Sequence, residues 1–173
     1  MPDPVLPGTV QPGTVPAVPF EGYRAEVSGD WIDYNGHLND AGYAIVLSEA
    51  NEVLLDALGL SESYRARTGC AMYTVECHIR YLAECRRGDR LEAASLVVSA
   101  DARKMRVHTA LTKTGGTLVA TGEYMYLHVD DAAGRVTAMP AERWAAVDAM
   151  LAAHAGLDRP KYLGRGIGSG IGS

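Results

Sequence analysis

The sequence predicts an α+β domain in which an antiparallel sheet covers one long helix. Three observations carry that expectation. Between Asn39 and Gly59, the residues Tyr43, Val46, Leu47, Ala50, Val53, Leu54, Ala57 and Leu58 recur at helical spacing and form one apolar stripe. From Tyr73 to Val129 the chain instead alternates with a period of two, the repeat of a half-buried strand. Tight turn signals, Asp101-Ala102 and Gly115-Gly116, break that region into separate strands.

Each element follows in order. Residues 1 to 20 carry Pro2, Pro4, Pro7, Pro12, Pro16 and Pro19, a density that prevents helix and ladder formation and predicts an extended tail. Tyr23 to Val27 reads as a first short strand. Asn39 is placed as the N-cap of the long helix, Asp40 suits its first turn, and Gly59 supplies the stop. In the next strand Tyr73, Val75, Cys77, Ile79 and Tyr81 are expected on one face, and Thr74, Glu76, His78 and Arg80 on the other. Asp89 to Ala100, Arg103 to Lys113 and Thr117 to Val129 complete the strands. Asp130 to Arg135 is a further turn. Pro140 then opens a last helix to about Ala153, with Trp144, Val147 and Leu151 facing inward. The end of the chain, residues 156 to 173, is a Gly-rich tail by composition. One domain is therefore expected over residues 21 to 155.

Composition narrows the function. A length of 173 residues suits a single domain, and a hydrophobic fraction of 47% is enough for a core. A net charge of −5 and the lack of a long basic run argue against a nucleic-acid partner. Cys70, Cys77 and Cys85 show no Cys-x-x-Cys spacing and read as reduced thiols, in keeping with the cytoplasm. No segment is apolar for long enough to span a bilayer, and no signal-peptide pattern opens the chain. His37, His78 and His108 lack the spacing of a helical zinc motif, so no metal is expected.

The densest chemistry lies in Asp30-Trp-Ile-Asp-Tyr-Asn-Gly-His-Leu-Asn-Asp-Ala-Gly-Tyr43, directly ahead of the long helix. A plain connection needs a turn residue and a cap, but not Trp31, Tyr34, Tyr43, His37 and several acids as well. Ionisable and aromatic groups gathered at a helix N-terminus point to a small-molecule site. Asp33 can attack a carbonyl directly or draw a proton from an attacking water; it can equally serve as an Asx-turn or capping residue. His37 can orient Asp33, bind a substrate oxygen or hold the loop. Asn39 is explained by capping alone, and Gly36 by the turn, though Gly36 also admits close approach of a substrate. The helix start around Asn39 to Ala41 offers unpaired N–H groups where an oxyanion could develop.

The run Asp33-Tyr-Asn-Gly36-His37-Leu-Asn39 resembles the Asp-x-x-Gly-His-x-Asn loop of hotdog-fold acyl-CoA thioesterases of the 4-hydroxybenzoyl-CoA thioesterase type. Its wording from Asp30 to Asn39 is most similar to one branch, the betainyl-CoA thioesterases of carnitine breakdown, some of which are fused to a carnitine dehydrogenase. The resemblance implies a hotdog fold, a homodimer or homotetramer, hydrolysis of a small acyl-CoA, no cofactor beyond the substrate's own coenzyme A, and Asp33 as the catalytic carboxylate. For a quaternary ammonium acyl group, Trp31, Tyr34 and Tyr43 would supply aromatic faces, and Asp30, Asp40 or Glu76 charge. Arg103, Lys104 and Arg106 are placed on the coenzyme A phosphates, with Arg86 and Arg87 as a second cationic set. Glu49 and Glu52 on the helix could imitate the nucleophile of another hotdog branch. The rival readings are an aromatic or medium-chain thioesterase and an acyl-CoA-binding protein without catalysis.

Overall fold

A computed structural model of the chain describes residues 18–167. Most of the Pro-rich N-terminal tail and the end of the Gly-rich C-terminal tail lie outside the described residues. The elements are β1 (Phe20–Glu26), a 3-10 turn at Gly29–Trp31, α1 (Asp40–Ala57), α2 (Glu62–Thr68), β2 (Cys70–Tyr81), β3 (Arg90–Asp101), β4 (Lys104–Lys113), β5 (Leu118–Asp130), β6 (Arg135–Val136) and α3 (Ala141–His154). The strands form one sheet in the order β1-β3-β4-β5-β2, with β6 added to β5 and every pair antiparallel.

All eight residues of the apolar stripe on α1 are buried, and they form the centre of the core with Leu91, Val97, Met105, Val107 and Leu111 from the sheet. The sheet thus curls around one long helix, the arrangement that the resemblance implies. Asn51 lies on the same buried face. Its Oδ1 accepts from the Thr109 hydroxyl at 2.7 Å, and Thr109 meets Ser95 at 2.9 Å, so the core contains a short polar chain.

Three local features differ from expectation. The helix α2 was not foreseen, because a helix this short cannot complete a readable period. The alternation of β2 breaks at Val75, where the register with β5 shifts between Thr74 and Glu76. Of the residues expected on one face, Tyr73, Val75, Cys77 and Tyr81 are exposed along an edge strand, while Ile79 packs against the core. The β3–β4 turn also lies one residue further on, at Ala102-Arg103.

The last helix α3 packs on β3 with Val147 and Met150 buried and Trp144 and Leu151 against the core. A second register shift, between Val97 and Ser99 of β3, frees the Val97 N–H, and the Nδ1 of buried His154 accepts it at 3.0 Å. Beyond α3 the chain turns back on the sheet. Gly164 N–H donates to Glu123 at 2.7 Å, and the Tyr162 ring lies near the guanidinium groups of Arg80 and Arg165. Among the described residues no helix is long and apolar enough to cross a membrane.

Candidate active site

The segment ahead of α1 is a closed ring tied by its own backbone. Ile32 bridges Leu38, Asp33 N–H donates to His37 O at 2.8 Å, and Gly36 N–H donates to Asp33 O at 3.0 Å. Gly36 closes the ring at φ 80°, a left-handed conformation in which side chains are strained. The Asp33 side chain forms the knot of the ring. Its Oδ1 accepts from Asn35 N–H at 2.8 Å and from His37 N–H at 3.2 Å, whereas Oδ2 meets only the Asn35 amide at 3.5 Å. The His37 N–H in particular holds the Asp33 carboxyl below the usual carboxylate range.

Two further bonds dock the ring on the fold: Asn39 N–H donates to Trp31 O at 2.9 Å, and Leu38 N–H to Cys85 O at 2.8 Å. Asn39 then caps α1, its side chain accepting from Gly42 N–H at 2.7 Å, a contact of about 1 kcal/mol. Gly42 permits the close approach of loop to helix, since a Cβ there would run into Leu38 and stand 3.2 Å from Trp31. The Asp40 N–H, first in the helix, meets no acceptor among the described residues.

Beside this helix start lies an open cleft of about 350 Å³. His37, Leu38, Asp40 and Tyr43 form one wall; Tyr81, Leu82, Ala83 and Glu84, the end of β2 and the connection beyond it, form the other. The walls are joined. Tyr43 donates its hydroxyl to Ala83 O at 2.9 Å, and His37 Nε2 stands 3.1 Å from Glu84 Oε2. The Tyr43 and Tyr81 rings meet edge to face, 5.4 Å apart at 69°. Burial pushes the Tyr43 phenol up, so it stays a neutral donor at physiological pH.

Of the residues singled out in the sequence, His37, Asp40 and Tyr43 line the cleft, and Asp33, Gly36 and Asn39 shape the ring and cap behind it. Trp31 is half-buried against the core, while Tyr34 is 97% exposed at the loop tip. Asp30 is exposed in the 3-10 turn. Glu76 is exposed further along β2. Arg103 and Lys104 stand at the opposite end of the sheet: Tyr81 pairs with Ala120 and Lys104 with Leu127, roughly 23 Å apart along β5 at ~3.3 Å per residue. Arg106 is bound to Glu123. Arg86 and Arg87 directly follow the cleft wall, with the Arg87 guanidinium over Gly29. Glu49 accepts from the Tyr23 hydroxyl.

Sequence reasoning gave no site role to Tyr81 or Glu84. Tyr81 was visible only as the end of an alternating run, and nothing local links Glu84 to a loop so far back in the chain. No group of three or more His, Cys, Asp or Glu among the described residues could hold a metal ion.

Comparison with known proteins sets this geometry in context. Residues 27–153 match the model of the thioesterase-like superfamily. The chain is 42% identical over 149 residues to an L-carnitine dehydrogenase/betainyl-CoA thioesterase of Agrobacterium fabrum, covering 86% of this chain but 30% of that protein. It is 37% identical over 147 residues to a betainyl-CoA thioesterase of Pseudomonas aeruginosa, covering 84% of this chain and 92% of that one. Among solved structures, a Staphylococcus aureus protein in complex with CoA superposes with a TM-score of 0.81 at 26% identity, over 87% of this chain and 96% of that chain.

Proposed function

The chain belongs to the thioesterase-like superfamily, and from that premise we propose that it hydrolyses a small acyl-CoA, betainyl-CoA, to the free acid and coenzyme A. The observation that carries the proposal is that the ring knotted by the Asp33 carboxylate runs directly into the open N-terminus of α1. One Asp33 oxygen is held by backbone N–H groups and the other is left almost free, while the Asp40 N–H stands unpaired at the positive end of α1. A thioester carbonyl directed at that N–H would have its developing oxyanion stabilised there. Asp33 then either attacks the carbonyl carbon, expelling the thiolate and leaving a mixed anhydride that water hydrolyses to free acid and regenerated Asp33, or takes a proton from a water that attacks the carbon itself. By either route the carbon–sulfur bond breaks and a proton from that water ends on the thiolate. His37 and Asn39 keep the ring and the helix start in register.

The acyl assignment draws on the similarity to the Pseudomonas aeruginosa betainyl-CoA thioesterase, which this chain nearly spans. The cleft supports it, with Tyr43 and Asp40 giving one ring and one acid beside the helix start. Of the remaining groups placed at the substrate by sequence, Trp31 supports the loop from behind; Tyr34, Glu76, Arg103, Lys104 and Arg106 would reach a substrate only in a cleft completed by another copy of the chain. A homodimer formed along β2, and a cytoplasmic setting where acyl-CoA is found, belong to the same proposal.

Release of free thiol from a panel of betainyl-, neutral branched, aryl- and medium-chain acyl-CoA esters tests it. Asp33→Asn keeps size and most hydrogen bonds, and should lower kcat at least ~100-fold with folding intact. Near wild-type hydrolysis by Asp33→Asn, with Glu49→Gln inactive, would move the active site onto the helix. Preferential cleavage of aryl or medium-chain esters would replace the betainyl assignment and leave the hydrolase standing.

A further inference from the structure

Two side chains of the cleft stand outside the loop: Tyr81 at the end of β2 and Glu84 in the connection that follows. Resting on the thioester-hydrolysis reading, we propose that Glu84 and Tyr81 are the residues that select a cationic acyl head, Glu84 by its charge and Tyr81 by its ring face.

The electrostatics of the cleft are one-sided. Asp40 and Glu84 bring a carboxylate from each wall, and no Lys or Arg lines it. The basic group in the lining is His37, and its Nε2 is already turned onto Glu84. That contact, at 3.1 Å, orients the Glu84 carboxylate at the cleft wall. A cationic head is attracted by both carboxylates, whereas a neutral aryl or aliphatic acyl group gains nothing from them.

The shape of the cleft suits a head without N–H donors. A quaternary ammonium is held by aromatic faces and by diffuse negative charge, not by directed hydrogen bonds. The Tyr43 ring is buried and fixed through its bond to Ala83 O, and Tyr81 packs against it at 69° with half its surface exposed, so Tyr81 offers the open ring face. Position agrees as well. In a betainyl ester the ammonium is borne by the carbon next to the carbonyl, so head and reacting centre must be neighbours. Asp40 satisfies that requirement alone, with its side chain in the cleft and its N–H at the helix start. Glu84 is 70% exposed, so its attraction is screened and its effect is about one decade.

The experiment compares kcat/KM for betainyl-CoA with that for the isosteric ester carrying tert-butyl in place of trimethylammonium. Wild-type protein should prefer the cation. Glu84→Gln, which keeps a partner for His37, should lower the cation-to-neutral ratio about tenfold, mainly through KM. Tyr81→Leu should lower it several-fold, and Tyr81→Phe, which keeps the ring, should retain it. If the wild-type preference exists and both Glu84→Gln and Tyr81→Leu leave the ratio unchanged, the assignment of these residues is overturned while the betainyl reading stands. A parallel fall in both esters also overturns it, since Glu84 would then act only by positioning His37. A wild-type enzyme that cleaves both esters equally overturns the assignment together with the betainyl reading, and one that cleaves no ester takes the hydrolase reading with it.

Discussion

Asp33 has two duties, and they pull its chemistry in one direction. Each backbone N–H on Oδ1 favours the ionised form, so the group that knots the ring is also kept charged for use. The sign of the pH effect follows. The folded carboxyl titrates below its unfolded value of 3.8, so its contribution to stability is complete above that value and is lost as pH falls through the folded value. Activity that needs ionised Asp33 should therefore persist through the ordinary carboxylate range. A pH profile of kcat/KM should show its acid limb below pH 3.8, and a limb near neutrality would assign the essential base to another group.

Elements decide how much of this was readable in advance. The stripe on α1 was legible to the last residue, because its period is local and one helix face supplies it all. The cap at Asn39 and the hairpins around β4 were legible for the same reason. The cleft wall was not, because Tyr81 and Glu84 reach the loop only through pairing of distant strands, and sequence spacing carries no trace of that. The same limit explains Arg103, Lys104 and Arg106: the cluster was visible, but its place at the far end of β5 from the cleft was not. Element placement predicts that Arg86→Ala with Arg87→Ala will raise KM for an acyl-CoA about tenfold with little change in kcat, as expected for phosphate contacts remote from the carbonyl. A comparable rise on replacing Arg103, Lys104 and Arg106 instead would show that a partner's substrate arm lies there. The α3 helix has its own titration. Burial holds the His154 imidazole below its ordinary 6.5, and buried His108 shifts the same way. Above 6.5 both states are neutral and stability is full; below it the unfolded chain takes up protons that the folded one refuses. The urea midpoint should therefore fall from about pH 7.5 to about pH 5.5, and His154→Gln, which can still accept from Val97 N–H, should reduce that fall.

At the scale of the whole molecule, β2 and β1 are the two edges of the sheet, and β2 is the more apolar on its surface. Tyr73 and Val75 are exposed along it, at 42% and 54%, apolar surface that an edge strand does not normally leave to water. Pairing with a second copy would cover it. Val75→Lys should then halve the particle mass measured by sedimentation at micromolar concentration, and an unchanged mass would exclude this edge as the contact.

The joined walls of the cleft also bear on when the site comes into being. Ala83, Glu84 and Cys85 each hold one residue of the earlier segment: Tyr43, His37 and Leu38. These ties close long loops, so their entropy must be met before the contacts form. A nascent chain that has extended through Asp33 and α1 has every residue of the ring and nothing to set it against. The splint arrives only when β2 is complete and the next connection has left the ribosome. On the proposed reading, hydrolytic competence is thus a late property of the chain: it marks the finished fold, and a partly synthesised chain that already contains Asp33 lacks the assembled cleft.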